Sequence, residues 1–303
     1  MSELRVLKQR YLTYLGTQWG GSAKMVENYG RYLERFISFA KVKHPRDITA
    51  ERVASFRLYL TKQPGATVNG RTAPMKQATQ NYYLTALRSF LRYLQAEGFE
   101  TLPSQQVKLA KLSRRVFDSI SAAELNRLRN APDVKTIEGK RDRAIIELLC
   151  STGLRISELC ALDISDVDLN KCECSITHAR GGTRLVYVSN EARQMIKKYL
   201  QARDDQSEVL FVRYGRKAND GGDPRIHPRA VQRMLKARAA AAGITNVVTP
   251  HILRHTFADQ LLKSGADMRS VQALLGHTTI EATRYYRPIA NPQYPKLRSD
   301  NLE

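Results

Sequence analysis

Several things are scarce in this 303-residue chain, and each scarcity excludes something. No stretch approaches the roughly 20 continuous apolar residues of a membrane span, so a transmembrane role is excluded. The first dozen residues, MSELRVLKQRYL, lack the apolar run of a secretory signal, which predicts a cytoplasmic protein without membrane contact. Cysteine occurs four times, at 150, 160, 172 and 174. Cys172 and Cys174 are too close for a usual zinc pair, and Cys150 and Cys160 fall in an apolar helical stretch, so reduced structural thiols are expected. There is no internal repeat, no low-complexity run and no acidic cluster of the two-metal nuclease type, so neither metal nor cofactor is expected.

Acidic residues are also short. Asp plus Glu number 29 against 49 Lys plus Arg, a net charge of +20. Residues 1–112 hold 18 basic and 7 acidic groups (+11), and residues 113–303 hold 31 and 22 (+9), so a single basic tail is not the source. Two basic halves suit a polyanion gripped from two sides, and nucleic acid is favoured over membrane.

With 42% apolar residues the chain can build two cores. Residues 1–102 read as four helices, near 4–15, 22–42, 49–61 and 77–97, with a Gly/Pro/Asn-rich loop at 63–74. The second helix sets Lys24, Arg31 and Arg35 opposite its apolar stripe, and the fourth does so with Arg88 and Arg92. These five are the candidate DNA contacts. Residues 103–117 read as an interdomain linker, polar and weakly periodic, leading to a second domain at 118–303.

In that second domain, Ser121 and Glu124 have capping-box spacing, opening a helix to 130. A second helix over 139–150 stops at Thr152-Gly153, and the next opens at once with Arg155 and Glu158 three apart on one face. An arginine at a helix entrance, with a carboxylate fixing its guanidinium plane, suits a phosphate. Residues 173–179 and 184–189 read as strands joined by the turn Arg180-Gly181-Gly182-Thr183, and 209–211 as a further short strand. Helices follow at 191–202 and 227–242.

The last informative stretch runs from 249 to 286. His251 and Arg254 share a helical face, Gly276-His277 follows a second helix, and the tyrosine pair Tyr285-Tyr286 comes next. The set His251-x-x-Arg254-His255, Gly276-His277 and a tyrosine nine positions after His277 resembles the tyrosine recombinase (phage integrase) family, its Xer-type members in particular. The box Thr152-Gly153-Leu154-Arg155-x-x-Glu158-Leu159 resembles that family's first catalytic motif. By motif the resemblance covers about residues 118–287, and by layout the whole chain.

The resemblance implies a mainly α fold: a four-helix core-binding domain, then an α+β catalytic domain with a small antiparallel sheet, the two closing on duplex DNA. It implies a site-specific recombinase acting without metal or ATP, as a homotetramer on two duplexes with a dimer per recombination site. Tyr286 would be the nucleophile, Arg155 and Arg254 the clamps on the phosphate, and Glu158 the support of Arg155. His251 would be the general acid/base and His277 a donor to the phosphate. Family members usually carry a lysine near the start of the strand-joining turn, which protonates the leaving oxygen. Here Arg180 stands there, and a guanidinium holds its proton too tightly for that task. A type IB-like topoisomerase and a non-cleaving DNA-binding protein of this fold are the alternatives. Prolines at 288, 292 and 295 argue against a long C-terminal helix of the kind many members exchange between subunits.

Overall fold

The computed structural model describes residues 2–68, 71–112, 120–177, 182–215 and 221–284. The chain forms two compact units, Met1–Arg115 and Val116–Glu303.

The first unit is built from four helices: α1 (Glu3–Thr17), α2 (Ala23–Ala40), α3 (Ala50–Thr61) and α4 (Gln77–Ala96). Ser22 and Thr49 cap α2 and α3 by accepting from the backbone N–H groups of Met25 and Arg52. Their apolar faces meet in one core that includes Leu4, Tyr11, Leu33, Phe36, Phe56 and Phe90.

Two segments differ from the sequence expectation. The stretch 63–74 is a β-hairpin, β1 (Pro64–Val68) against β2 (Arg71–Pro74), with an irregular register between Pro64 and Thr67. Gly65 is what allows the approach, because a Cβ there would sit 2.8 Å from the Pro74 carbonyl oxygen. The start of the expected linker is also not a bare tether. Val107 is fully buried in the first core, Asn81 exchanges two hydrogen bonds with the backbone of Ala110 (2.9 and 3.0 Å), and Arg57 donates to the Lys108 carbonyl at 2.8 Å. Apolar residues scattered through a polar run, with Val107 buried but Leu109 and Leu112 exposed, give too weak a periodic signal to reveal this docking.

The second unit contains α5 (Ala122–Asn130), α6 (Ile137–Thr152), α7 (Ile156–Ala161), α8 (Asn190–Gln201), α9 (Pro228–Ala241), α10 (Pro250–Lys263), α11 (Met268–Leu275) and α12 (Ile280–Arg284). A three-stranded antiparallel sheet has the order β3 (Val167–Asp168), β4 (Glu173–Thr177), β5 (Thr183–Tyr187). Helix α6 is its axis: Ala144, Ile145, Ile146, Leu148 and Leu149 are fully buried, as expected for a helix apolar on most of its circumference. Its buried acids are paired, Asp142 with Arg141 and Arg238, Glu147 with Arg129 and Arg143. The expected strand at 209–211 adds no strand to the sheet. It forms isolated bridges instead, Asp163 with Val209 and Val212 with Arg225. The four cysteines are all unpaired, three of them buried. Among the described residues, no helix is long and apolar enough to cross a membrane.

Candidate active site

The site begins where α6 stops. Gly153 caps it in the left-handed conformation, at φ +60°, which a side chain rarely adopts. A Cβ there would meet Phe257 Cδ1 at 2.4 Å and Leu275 Cδ2 at 3.1 Å, so only glycine lets this turn press against α10 and α11. Two residues later Arg155 stands at the N-cap of α7. Glu158 reaches back to it twice, accepting from the Arg155 backbone N–H (2.8 Å) and from Nη1 (2.9 Å).

Helix α10 starts at Pro250 after Thr249, whose hydroxyl accepts from the Ile252 N–H. One turn in, Arg254 is only 3% exposed. Burying a guanidinium requires that its donors find acceptors. Nη1 donates to the Gly153 carbonyl and Nη2 to the Leu275 carbonyl, both at 2.6 Å, and Nη2 also lies 2.9 Å from His277 Nε2.

Helix α11 is capped at its start by Asp267 and ends at Gly276, φ +63°, with the His277 N–H closing back on the Gln272 carbonyl. The last carbonyls of a helix have no partner within it, and they carry the negative end of its dipole. Here three consecutive ones each receive a different arginine. Leu274 accepts from Arg184 Nε (3.0 Å), Leu275 from Arg254, and Gly276 from Arg155 Nη2 (2.9 Å). Arg184, on β5, also grips both oxygens of Glu158, at 3.0 and 2.8 Å.

The protonation states follow. Burial works to raise the Glu158 carboxyl, but hydrogen bonds from Arg184 and from the Arg155 backbone outweigh it and hold the group at about 2. Burial, then the charges of Arg254, Arg155 and Arg184, push His277 down to about 4, so it is neutral near pH 7. A guanidinium can only donate, so His277 Nε2 accepts from Arg254, and the proton sits on Nδ1, which donates to Thr283 Oγ1 at 2.9 Å. His251, one turn before Arg254 and partly open to solvent, is also lowered, by the partial burial of its ring and then by Arg254. Buried His255 is lowered chiefly by burial.

Of the residues expected in the site, Arg155, Glu158, Arg254 and His277 come together, with His251 on the same helix as Arg254. Arg180, Tyr285 and Tyr286 lie outside the described residues. In the first unit, Lys24 pairs with Glu27 at 2.7 Å, and Arg31 bonds Asn28 and lies over Tyr32. Arg88 is half-buried and Arg92 exposed on α4. Arg35 departs from the expected outward stripe. It donates to Gln63 (2.6 Å) and the Tyr83 hydroxyl (3.1 Å) and stacks over the rings of Tyr59 and Tyr83.

Sequence reasoning passed over Arg184 and Thr283. A signal for Arg184 existed: residues two apart on a strand share a face, and Val186 belongs to the core, so Arg184 faces inward. An inward arginine demands acceptors for its donors.

Comparison with known proteins bears on the family and the fold. Residues 118–291 match the Phage integrase family, and residues 9–98 match the phage integrase N-terminal SAM-like domain. Tyrosine recombinase XerC of Myxococcus xanthus is 32% identical over 98% of this chain and 97% of its own length. Tyrosine recombinase XerC of Bacillus subtilis (strain 168) is 31% identical over 96% and 94%. Among solved structures, the XerA recombinase crystal structure aligns over 95% of each chain, with 28% identity and a TM-score of 0.52. A lambda integrase(75–356) dimer bound to a COC′ core site aligns over 99% of this chain and all of that one, with 20% identity and a TM-score of 0.70. The fold is thus the mainly α, two-domain integrase fold, and the chain belongs to the phage integrase family as a Xer-like tyrosine recombinase.

Proposed function

We propose that the chain cuts and rejoins duplex DNA at a specific site through a 3′-phosphotyrosyl bond and exchanges strands between two duplexes. The observation that carries this reading is the convergence of Arg155 and Arg254 on adjacent carbonyls of one helix end, with His277 beside Arg254. Buried or backbone-anchored guanidiniums cannot follow a moving substrate. They are set in advance where negative charge builds on the non-bridging oxygens of a phosphodiester.

In the proposed reaction, the Tyr286 phenol oxygen bonds to phosphorus as the bond to the 5′-oxygen breaks. The phenol proton passes to His251, whose lowered pKa leaves it neutral and able to accept it. The leaving 5′-oxygen takes a proton and becomes a hydroxyl. Arg180 holds the scissile phosphate by hydrogen bonds, and another group or water supplies that proton. Because the phosphotyrosyl bond conserves the energy of the one broken, a second 5′-hydroxyl reseals the strand without ATP. Both basic units grip the duplex, two subunits occupy each site, and four assemble on the paired sites in the cytoplasm. Identities of 31–32% to tyrosine recombinases over nearly the whole chain favour this over the topoisomerase and non-cleaving alternatives.

The test uses a duplex selected by the full chain from a random-sequence pool, then nicked near the scissile phosphate to trap the intermediate. A denaturant-resistant protein–DNA adduct is expected, absent in Tyr286→Phe and present in Tyr285→Phe. The reverse pattern would move the nucleophile by one residue, and no adduct with any selected duplex would refute cleavage. Two duplexes carrying the site should also give recombinant products.

A further inference from the structure

Glu158 serves two arginines, and the family motif accounts for one of them. Its Oε1 accepts from Arg155 Nη1 and Arg184 Nη1, its Oε2 from the Arg155 backbone and Arg184 Nη2, at 2.8 to 3.0 Å throughout. A carboxylate held by one monodentate contact can pivot. One held by a two-pronged guanidinium cannot, because both oxygens are fixed in the plane of the fork. Arg184 is in turn anchored by its Nε to the Leu274 carbonyl, one residue before the carbonyl that holds Arg254 and two before the one that holds Arg155. Its side chain is only 10% exposed, whereas that of Arg155 is 39% exposed. Arg184 thus turns its donors inward and Arg155 faces the surface where a phosphate would arrive.

We propose that Arg184 is a positioning residue for DNA cleavage: by clamping Glu158 against the end of α11, it sets the direction of the Arg155 guanidinium. The inference rests on the reading of Arg155 as a phosphate-binding arginine. On this reading Arg184 acts on rate through the geometry of Glu158 and Arg155, with its own donors turned to Glu158 and the Leu274 carbonyl. Lysine cannot replace it, since a point charge has no fork to fix the carboxylate plane.

The experiment compares the full chain with Arg184→Ala, Arg184→Lys, Glu158→Gln and the double variant Arg184→Ala/Glu158→Gln. DNA affinity and single-turnover adduct formation on the nicked duplex are measured for each. Arg184→Ala is expected to slow adduct formation about 10- to 100-fold while affinity changes less than about threefold, since a small misplacement costs rate. Arg184→Lys should be nearly as slow, and the double variant no slower than the worse single variant, because Arg184 works through Glu158.

A second readout needs no DNA: the carboxyl carbon signal of Glu158, assigned with Glu158→Gln. In the parent chain it should stay ionised well below the ordinary glutamate range of about 4. In Arg184→Ala and Arg184→Lys, burial should lift its titration above that range, and the acid limb of the cleavage rate should move up with it. Full activity of Arg184→Lys, multiplicative losses in the double variant, or an unmoved Glu158 titration would each overturn the inference. If the parent chain forms no adduct, the proposed function falls. The Glu158 titration then still decides whether Arg184 holds that carboxylate.

Discussion

Two sets of arginines, one from each unit, do different work. In the first, Arg35 ends on side chains, the Gln63 amide and the Tyr83 hydroxyl, and lies over two tyrosine rings, while Arg31 reaches only one turn to Asn28. In the second, Arg155, Arg184 and Arg254 all end on main-chain carbonyls of a single helix terminus. Side-chain partners can change rotamer and release their cation. Carbonyls at the end of a packed helix cannot move unless the helix does. The first arrangement spends a guanidinium on packing within its own unit, and the second suits a site that must be complete before the ligand arrives.

The sharpest way to break this comparison is at Arg254. Arg254→Ala is expected to reduce single-turnover adduct formation by roughly 10²–10³-fold. Arg254→Lys should recover little, since one ammonium cannot span the Gly153 and Leu275 carbonyls as the fork does. A lysine variant within about threefold of the parent would show that charge alone is enough and that backbone anchoring is incidental.

Next in size is Gly153→Ala, which combines a strained φ with a methyl group driven into Phe257. Denaturant unfolding should show a loss of about 1–3 kcal/mol, together with slower cleavage because the turn presenting the Gly153 carbonyl shifts. An alanine variant as stable as the parent would mean that the turn relaxes freely.

The first unit offers the contrasting test. Arg35→Ala should cost about 1–2 kcal/mol of stability, from a lost cation–π stack and hydrogen bonds, and leave the salt dependence of DNA binding unchanged. Arg92→Ala should do the opposite, leaving stability alone and lowering the log–log salt slope by about 0.9 for one lost phosphate contact. If Arg35→Ala flattens the slope instead, the stack opens on DNA and Arg35 is a phosphate contact after all.

The smallest effect expected is acid sensitivity. His277 is held at about 4, below its ordinary value near about 6.5, so the folded state disfavours its protonation. Between those values the unfolded chain binds more protons, and stability present above about 6.5 is lost as pH falls toward about 4. Glu158, also depressed, adds a loss of the same sign at lower pH, below the ordinary glutamate range. Melting temperatures at about pH 7 and pH 5 should differ less for His277→Gln than for the parent. An equal difference would place the sensitivity elsewhere.

Much of the site was legible because its signals are local. Arg155 and Glu158 lie within one turn, as do His251 and Arg254, and Gly276-His277 closes a helix whose apolar period is plain. Arg184 was not, because its partner is 26 residues away and the link exists only once β5 stands beside α7. The hairpin at 64–74 was hidden for another reason: Pro and Gly mark turns, and here they also end and kink two short strands. In the segment after Pro103, Val107 is buried while Leu109 and Leu112 are exposed, so its apolar residues follow no period.

The end of α11 has one further consequence, and it concerns populations. Three guanidiniums share the closing turn of an eight-residue helix as one of their anchors, so fraying of that turn loosens all three at once. Two amides watch the hinge directly, Gly276 bonded to the Ala273 carbonyl and His277 to that of Gln272. Their hydrogen-exchange protection would measure, in free protein before any DNA is added, how often the site stands armed.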